Sequence, residues 1–233
     1  MQIEQFRYAR DNFSYLVHLN GQGVVIDGGA VEEILTFLTD HGITLQWVTN
    51  THMHPDHIPG NQALLDKTGA SFVDPGTAAE GQLIDVGGKP LEIKLTPGHT
   101  LDSVCFSAPG FLITGDTLFN GTVGNCFSGD LKAFFISLKK IMEFPPTTRI
   151  YAGHDYVKDA MAYARIIEPG NADRIQAVQD RYDPALVVST LAEEMAVNPY
   201  LRFNAPSMVD NLKARGVCPE TAYDRFKAIM EIY

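Results

Sequence analysis

Apolar positions recur along the 233 residues with two different periods, and the change of period marks where strands give way to helices. From Phe13 to Leu19 they alternate roughly with polar ones. Asn20-Gly21 supplies a turn that tolerates positive φ, and Val24-Val25-Ile26 continues as a buried strand, so the stretch predicts a hairpin. Asp27-Gly28-Gly29 closes it. Val31, Ile34, Leu35 and Leu38 then recur at helical spacing, with Gly42 as the stop. Leu45–Asn50 predicts another strand. Ser71–Val73, Glu92–Leu95, Val104–Phe106 and Phe111–Ile113 predict short strands between Gly and Pro turns. Asp130 is placed to cap a helix carrying Leu131, Phe134, Phe135, Leu138, Ile141 and Met142, which Pro145-Pro146 ends. Arg149–Ala152 is the last strand the pattern predicts. Beyond about residue 158 the period is helical, interrupted at Glu168-Pro169-Gly170-Asn171, Asp183-Pro184 and Asn198-Pro199. Thr190 and Glu193 stand at capping-box spacing ahead of another helix. The pattern divides the chain into an α/β body over 1–160, built like an αββα sandwich, and a helical C-terminal region over 161–233.

Composition narrows the class. Hydrophobic residues make up 45% and charged residues 20%, as in an ordinary globular protein. No segment approaches the roughly 18 consecutive apolar residues of a membrane span. The opening Met1-Gln2-Ile3-Glu4-Gln5 is not a basic-then-apolar leader, so no signal peptide and no membrane partner are expected. Cys105, Cys126 and Cys218 are far apart and odd in number. They form neither a disulfide framework nor a CxxC zinc site, and they fit buried thiols in a reducing cytoplasm. The formal net charge is −10 with Lys and Arg scattered, which argues against a nucleic-acid partner.

The chemistry is concentrated after the Leu45–Asn50 strand. Thr51-His52-Met53-His54-Pro55-Asp56-His57 holds three imidazoles and a carboxylate within six residues. Neutral imidazole and carboxylate are the ligands that zinc, iron and manganese take among side chains other than thiols. In an extended loop His52 and His54 can point to one side, while Asp56 and His57 turn toward a second position. His18, in an alternating strand, and His41, near a helix end, have no such context and read as packing residues. Asp27, at a strand end before two glycines, reads as a hydrogen-bond acceptor behind the site or as a turn former.

The His52-Met53-His54-Pro55-Asp56-His57 run resembles the signature of the metallo-β-lactamase superfamily, whose fold is two β-sheets sandwiched between helices. The further ligands of that family have counterparts in order: His99 in Thr96-Pro97-Gly98-His99-Thr100, Asp116 in Thr114-Gly115-Asp116-Thr117, and His154 in Ala152-Gly153-His154-Asp155. The resemblance implies two divalent transition-metal ions, with zinc, iron and manganese all admissible. It places one on His52, His54 and His99 and the other on Asp56, His57 and His154, with Asp116 and a hydroxide bridging them. Asp56 and Asp116 then carry the catalytic role.

Within that superfamily the chain is similar to glyoxalase II, the hydroxyacylglutathione hydrolase. The similarity runs through Asp11-Asn12-Phe13-Ser14-Tyr15-Leu16, Glu168-Pro169-Gly170-Asn171, Ser189-Thr190-Leu191-Ala192-Glu193-Glu194 and Asn198-Pro199-Tyr200-Leu201-Arg202. It implies hydrolysis of a small-molecule thioester such as S-lactoylglutathione by the bridging hydroxide, without a protein nucleophile. The family's hold on glutathione is altered. Asn125 stands where a lysine is expected and Phe127 where a tyrosine is expected. Tyr156 matches a second tyrosine, Lys227 matches one terminal basic position, and Met230 replaces the other. These four matching positions, Asn125, Phe127, Tyr156 and Lys227, are the expected substrate contacts. Losing a cation and a hydroxyl there should weaken glutathione recognition. The alternative from another class is a mononuclear iron persulfide dioxygenase, which shares His52, His54, His99 and Asp116. The Asn198–Arg202 segment speaks against it. A diiron electron-transfer relative would carry a glutamate where Met53 stands, and a non-catalytic module would have lost a ligand.

Overall fold

The computed structural model describes residues 1–217 and 220–232, so Cys218 lies outside the described residues. Five strands, β1 (Gln2–Tyr8), β2 (Asn12–Leu19), β3 (Gln22–Ile26), β4 (Thr44–Thr49) and β5 (Ser71–Val73), form one sheet in sequence order. The β2–β3 pairing is the expected hairpin, with Tyr15 opposite Ile26 and Leu19 opposite Gln22. The β3–β4 and β4–β5 pairs are parallel, so α1 (Val31–His41) and α2 (Asn61–Thr68) serve as crossovers on one face. Gly42 ends α1 in the left-handed conformation, with φ at 62°.

The second sheet is ordered β11-β10-β9-β8-β7-β6. Its strands are β6 (Leu83–Val86), β7 (Lys89–Leu95), β8 (Val104–Ala108), β9 (Phe111–Gly115), β10 (Arg149–Ala152) and β11 (Ser189–Thr190). Between β9 and β10 runs α3 (Leu131–Met142), capped as the sequence suggests by Asp130, which accepts from the Ala133 amide at 2.8 Å. After β10 come α4 (Val157–Ile167), α5 (Ala172–Asp180), α6 (Leu191–Val197), α7 (Pro206–Ala214) and α8 (Ala222–Glu231). The Thr190–Glu193 capping box opens α6.

Side-chain alternation builds the layers. On β2, Phe13, Tyr15 and Val17 face the second sheet and join Ile93, Phe106 and Ile113, while Leu16 turns to Ile34, Leu38 and Leu64 of the helices. The second sheet's outer face packs Leu112 and Ile150 against Phe134 and Leu138 of α3 and against Phe203 and Phe226. Each such large side chain is worth about 1.5–3 kcal/mol when fully buried. Helices therefore flank both sheets in an αββα sandwich, and the C-terminal helices extend the outer layer.

Four elements depart from the sequence expectation. β1 is an edge strand whose residues are partly exposed, so its polar positions hide the period. α2 buries only Leu64 and carries almost no apolar stripe. β6 was masked by its turn-rich surroundings. β11, rather than β10, is the last strand. It is two residues long and exists through pairing of Ser189 with Ile150 and Thr190 with Arg149.

Candidate metal centre

The candidate residues sit where the two sheets meet, at the carboxyl ends of strands. β4 leads through Asn50 and Thr51 into His52, His54, Asp56 and His57. The loop after β7 carries His99, and β9 and β10 end one residue before Asp116 and two before His154, respectively. Parallel pairing sets Ala152 beside Gly115, which brings Asp116 and His154 together. Three backbone bonds stitch the sheets at this end: Phe13 N–H to the Gly153 carbonyl at 2.9 Å, Asp155 N–H to the Asp11 carbonyl at 2.9 Å and Val104 N–H to the Thr51 carbonyl at 2.8 Å.

All seven converge. His54 Nδ1 is 2.9 Å from His52 Nε2 and 3.1 Å from His99 Nε2, making one triad. His57 Nε2 and His154 Nε2 are 3.2 Å apart, and Asp56 Oδ2 is 3.8 Å and 3.4 Å from them, making a second. The Asp116 carboxylate lies between: Oδ1 is 3.4 Å from His57, and Oδ2 is 3.5 Å from His99, 3.5 Å from His154 and 4.0 Å from His52. Two carboxylates and a backbone carbonyl behind the imidazoles orient them. Asp11 Oδ1 is 2.9 Å from His154 Nδ1, the Asn125 carbonyl is 2.8 Å from His99 Nδ1, and Asp27 Oδ2 is 3.0 Å from His57 Nδ1. The last contact is off-line for a straight hydrogen bond, and its force is that of charge. Asn12 donates to Asp56 Oδ2 at 3.0 Å.

The electrostatics call for cations. Burial alone would depress His57, yet the carboxylates of Asp27 and Asp116 overcome it and lift it to about 11. Burial would raise Asp116, but the adjacent imidazoles of His154 and His57 hold it well below the usual carboxylate range. His52, buried and beside His57, is pushed down to about 4. A compact anion-bearing imidazole cluster of this kind is stable either with protons shared among its members or with metal ions in their place.

The residues fit divalent metal ions. Asp116 Oδ1 is buried without a hydrogen-bond partner, an orphan that a cation would satisfy. The donors are all imidazole nitrogen or carboxylate oxygen, the set transition metals take. Gly153 and Gly124 leave the room: a Cβ on Gly153 would strike Asp116 Oδ1 and His57, and one on Gly124 would strike the Asp116 carbonyl and His99.

The expected substrate contacts divide. Tyr156 stacks on His154, with centroids 5.1 Å apart and planes 5° from parallel. Asn125 and Tyr156 line one cleft of about 300 Å³ together with Phe119, Tyr163 and Tyr200. Phe127 stands edge-on to His54 and His99 at 5.6 and 5.3 Å. Lys227, on α8, instead meets Glu231 at 3.7 Å and does not line the cleft. His18 and His41 lie away from the site, packed on Phe37. The oriented roles of Asp11 and Asn12 were not legible beforehand. They stand at the start of β2 in a segment similar to glyoxalase II, which does not reveal that the opposite sheet delivers His154 to them.

An αββα sandwich with a histidine- and aspartate-rich centre at the strand ends is the architecture of the metallo-β-lactamase class. The model of the metallo-beta-lactamase superfamily matches residues 7–73 and 69–154, and that of the hydroxyacylglutathione hydrolase C-terminus matches residues 155–232. The chain is 30% identical to a hydroxyacylglutathione hydrolase of Idiomarina loihiensis, covering 90% of this chain and 89% of that one. It is 32% identical to the one of Mesorhizobium japonicum, covering 91% of each. Among solved structures, ETHE1 from Myxococcus xanthus shares the fold with a TM-score of 0.72 at 24% identity, covering 99% of this chain and 90% of that one. TTHA1623, solved in a di-iron-bound form, has a TM-score of 0.62 at 22% identity, covering 86% of this chain and 100% of that one. The chain belongs to the metallo-β-lactamase superfamily and, within it, to the hydroxyacylglutathione hydrolase family, and it is a hydrolase.

Proposed function

We propose that the chain hydrolyses small thioesters of the S-acylglutathione type with a weakened hold on glutathione itself. The observation that carries this reading is the convergence of two triads, His52/His54/His99 and Asp56/His57/His154, on the buried Asp116. Each triad would hold one divalent transition-metal ion, zinc foremost with iron and manganese admissible, and Asp116 would serve both. When bound, such ions supply a water acidified to near-neutral pKa and polarise the thioester carbonyl. The chain's own part is to position. Asp11, Asp27 and the Asn125 carbonyl orient His154, His57 and His99, and Tyr156 walls the cleft beside His154. A covalent route has little support. Cys105 is buried 3.3 Å from Thr96 Oγ1, and burial pushes its thiol up to about 12, while Cys126 contacts Ser128 rather than an imidazole. These free thiols suit a reducing compartment. The second triad also favours this reading over a mononuclear dioxygenase, which would leave Asp56, His57 and His154 without a task.

The test pairs metal analysis with kinetics. Protein purified without chelator should hold up to two transition-metal equivalents and hydrolyse S-lactoylglutathione with an elevated KM. Asn125→Lys with Phe127→Tyr should lower that KM and leave kcat nearly unchanged, because uniform binding energy appears in KM. A micromolar KM in the native protein, unmoved by the double change, would restore full glutathione specificity. Metal-loaded protein that hydrolyses no thioester would sink the reading altogether.

A further inference from the structure

Nine large apolar side chains are exposed among the described residues, and three of them stand on the loops that carry the candidate ligands or lie against them: Phe127 at 66%, Leu101 at 76% and Met53 at 40% exposure. Their grouping follows from the ligand loops. Met53 stands between His52 and His54, Leu101 lies two residues beyond His99, and Phe127 packs edge-on against both His54 and His99. Hydrogen bonds lace the three loops together. The Met53 amide donates to Asp102 Oδ2 at 3.0 Å, the Ser128 amide to the His99 carbonyl at 3.1 Å, and Ser128 Oγ to the Gly98 carbonyl at 2.6 Å. The loops that carry the three side chains are therefore joined around the His52/His54/His99 triad, with Phe127 directly against two of its imidazoles. The other side of the centre differs: beyond Tyr156 the surface carries Arg10, Lys158 and Asp159.

Exposed apolar groups are ordinary singly, but a cluster continuous with a polar reactive centre marks a surface that something apolar covers. We propose that Phe127, Leu101 and Met53 form a platform for an apolar substituent of the thioester, making the preferred substrate one with an alkyl or aryl group rather than a second charged arm. The occupant is the substrate rather than a protein partner because Phe127 touches two of the triad's own imidazoles. A group attached to a thioester placed over that triad, and directed away from the Asn125/Tyr156 cleft, lies beside Phe127. The inference rests on the thioesterase reading, and it names which chemistry that reading should favour. The apolar group could be on the acyl or on the thiol side, since both flank the reacting carbonyl.

Full burial of a methylene is worth about fourfold in affinity, and an open platform that leaves one side wet should give roughly its square root, about twofold. The experiment measures binding of non-hydrolysable S-alkyl N-acetylcysteamine thioethers, with two to eight alkyl carbons, to the metal-loaded protein by calorimetry. Affinity should rise about twofold per methylene. The slope should flatten in Phe127→Ala and in Leu101→Ser, whereas Ile166→Ser, which removes an equally exposed apolar side chain elsewhere, should keep it. Hydrolysis of N-acetylcysteamine thioesters of increasing acyl length, against acetyl thioesters of increasing alkanethiol length, tells which substituent uses the platform. Affinity independent of chain length, or a slope that survives both Phe127→Ala and Leu101→Ser, overturns the proposal. So does a dimer that Phe127→Ser splits without altering thioether binding, which would make the patch an interface between copies. A length-dependent affinity without any hydrolysis would keep the platform and reject the thioesterase reading, so the two failures are distinct.

Discussion

Asp27→Asn tests whether a carboxylate that cannot reach the reacting centre nonetheless sets its metal affinity. Asp27 is fully buried: Oδ1 accepts from the Thr51 amide at 2.8 Å, and Oδ2 accepts from Thr51 Oγ1 at 2.8 Å and stands 3.0 Å from His57 Nδ1. Its negative charge beside Nδ1 favours the His57 proton on that nitrogen and leaves the Nε2 lone pair turned toward Asp56, Asp116 and His154. An amide at the same place has one acceptor and a pair of donors. If it keeps its oxygen on the Thr51 amide, it presents N–H to Nδ1 and favours the tautomer whose Nε2 is protonated and cannot ligate. If it flips, the buried Thr51 amide faces another donor at a cost of about 1–3 kcal/mol. Either way the second triad weakens. Substitutions behind a ligating histidine typically cost 10–100-fold in metal affinity, about 1.4–2.8 kcal/mol. Asparagine is the appropriate probe because position 27 has φ of 55°, which Asn tolerates and most other side chains resist. Zinc competition against a chromophoric chelator should show one equivalent bound as in the native protein and the other weakened by one to two orders of magnitude. Two equivalents of native affinity, with native turnover, would show that Asp27 merely shapes the turn.

The remaining predictions follow from other buried charges. Asp116→Asn keeps the side-chain shape but removes the anion between the triads, so turnover should fall by orders of magnitude while thermal stability of the metal-stripped protein changes far less; native thioesterase activity in this variant would defeat the mechanism. Arg202 makes a two-pronged pair with Glu168 at 2.7 and 2.8 Å, with side chains 9% and 2% exposed. Arg202→Met should cost about 3–5 kcal/mol, roughly 6–20 °C in Tm, whereas Arg202→Met with Glu168→Leu should recover most of it; equal losses in the two variants would count against the pair. Burial would raise the Glu168 carboxyl, but Arg202 and Ser207 hold it below the ordinary value, so the pair's stabilisation is present above about pH 4.5 and fades as pH falls through the lowered value. Glu194 goes the other way. Burial lifts it to about 7 despite donors on Ser189, Asn198 and Gly121. A raised carboxyl stabilises below its unfolded value of 4.5 and loses that contribution as pH rises through about 7. Relative to Glu194→Gln, native stability should therefore decline between those values by at most about 3 kcal/mol, and parallel pH profiles in chemical denaturation would refute the assignment.

Much of the body was legible because its elements are self-announcing. The β2–β3 hairpin and α3 carry their own period, turn and cap, so local physics suffices. The edge strands β1, β6 and β11 and the short helix α2 were not, because an element that buries little has little period to read, and β11 exists only through its two pairings with β10. The candidate ligands were legible for a chemical reason: imidazole and carboxylate crowded at strand ends have few uses besides holding a cation.

The sequence alone determined the candidate donor set, His52, His54, Asp56, His57, His99, Asp116 and His154, since donor type is a property of the residue itself. It also determined the helix caps and the altered Asn125 and Phe127 positions. Tertiary structure decided what those donors experience. It set Asp27 behind His57, 30 residues on, through the parallel pairing of β3 with β4, and Asp11 behind His154, across 143 residues, by docking one sheet's strand ends on the other's. It moved Lys227 out of the cleft and joined Glu168 to Arg202. Met53, Leu101 and Phe127 lie far apart in the chain, and hydrogen bonds join the loops that carry them beside the candidate ligands. Such through-space contacts leave no periodic trace, because they depend on where separate strands end in space rather than on what neighbours what along the chain.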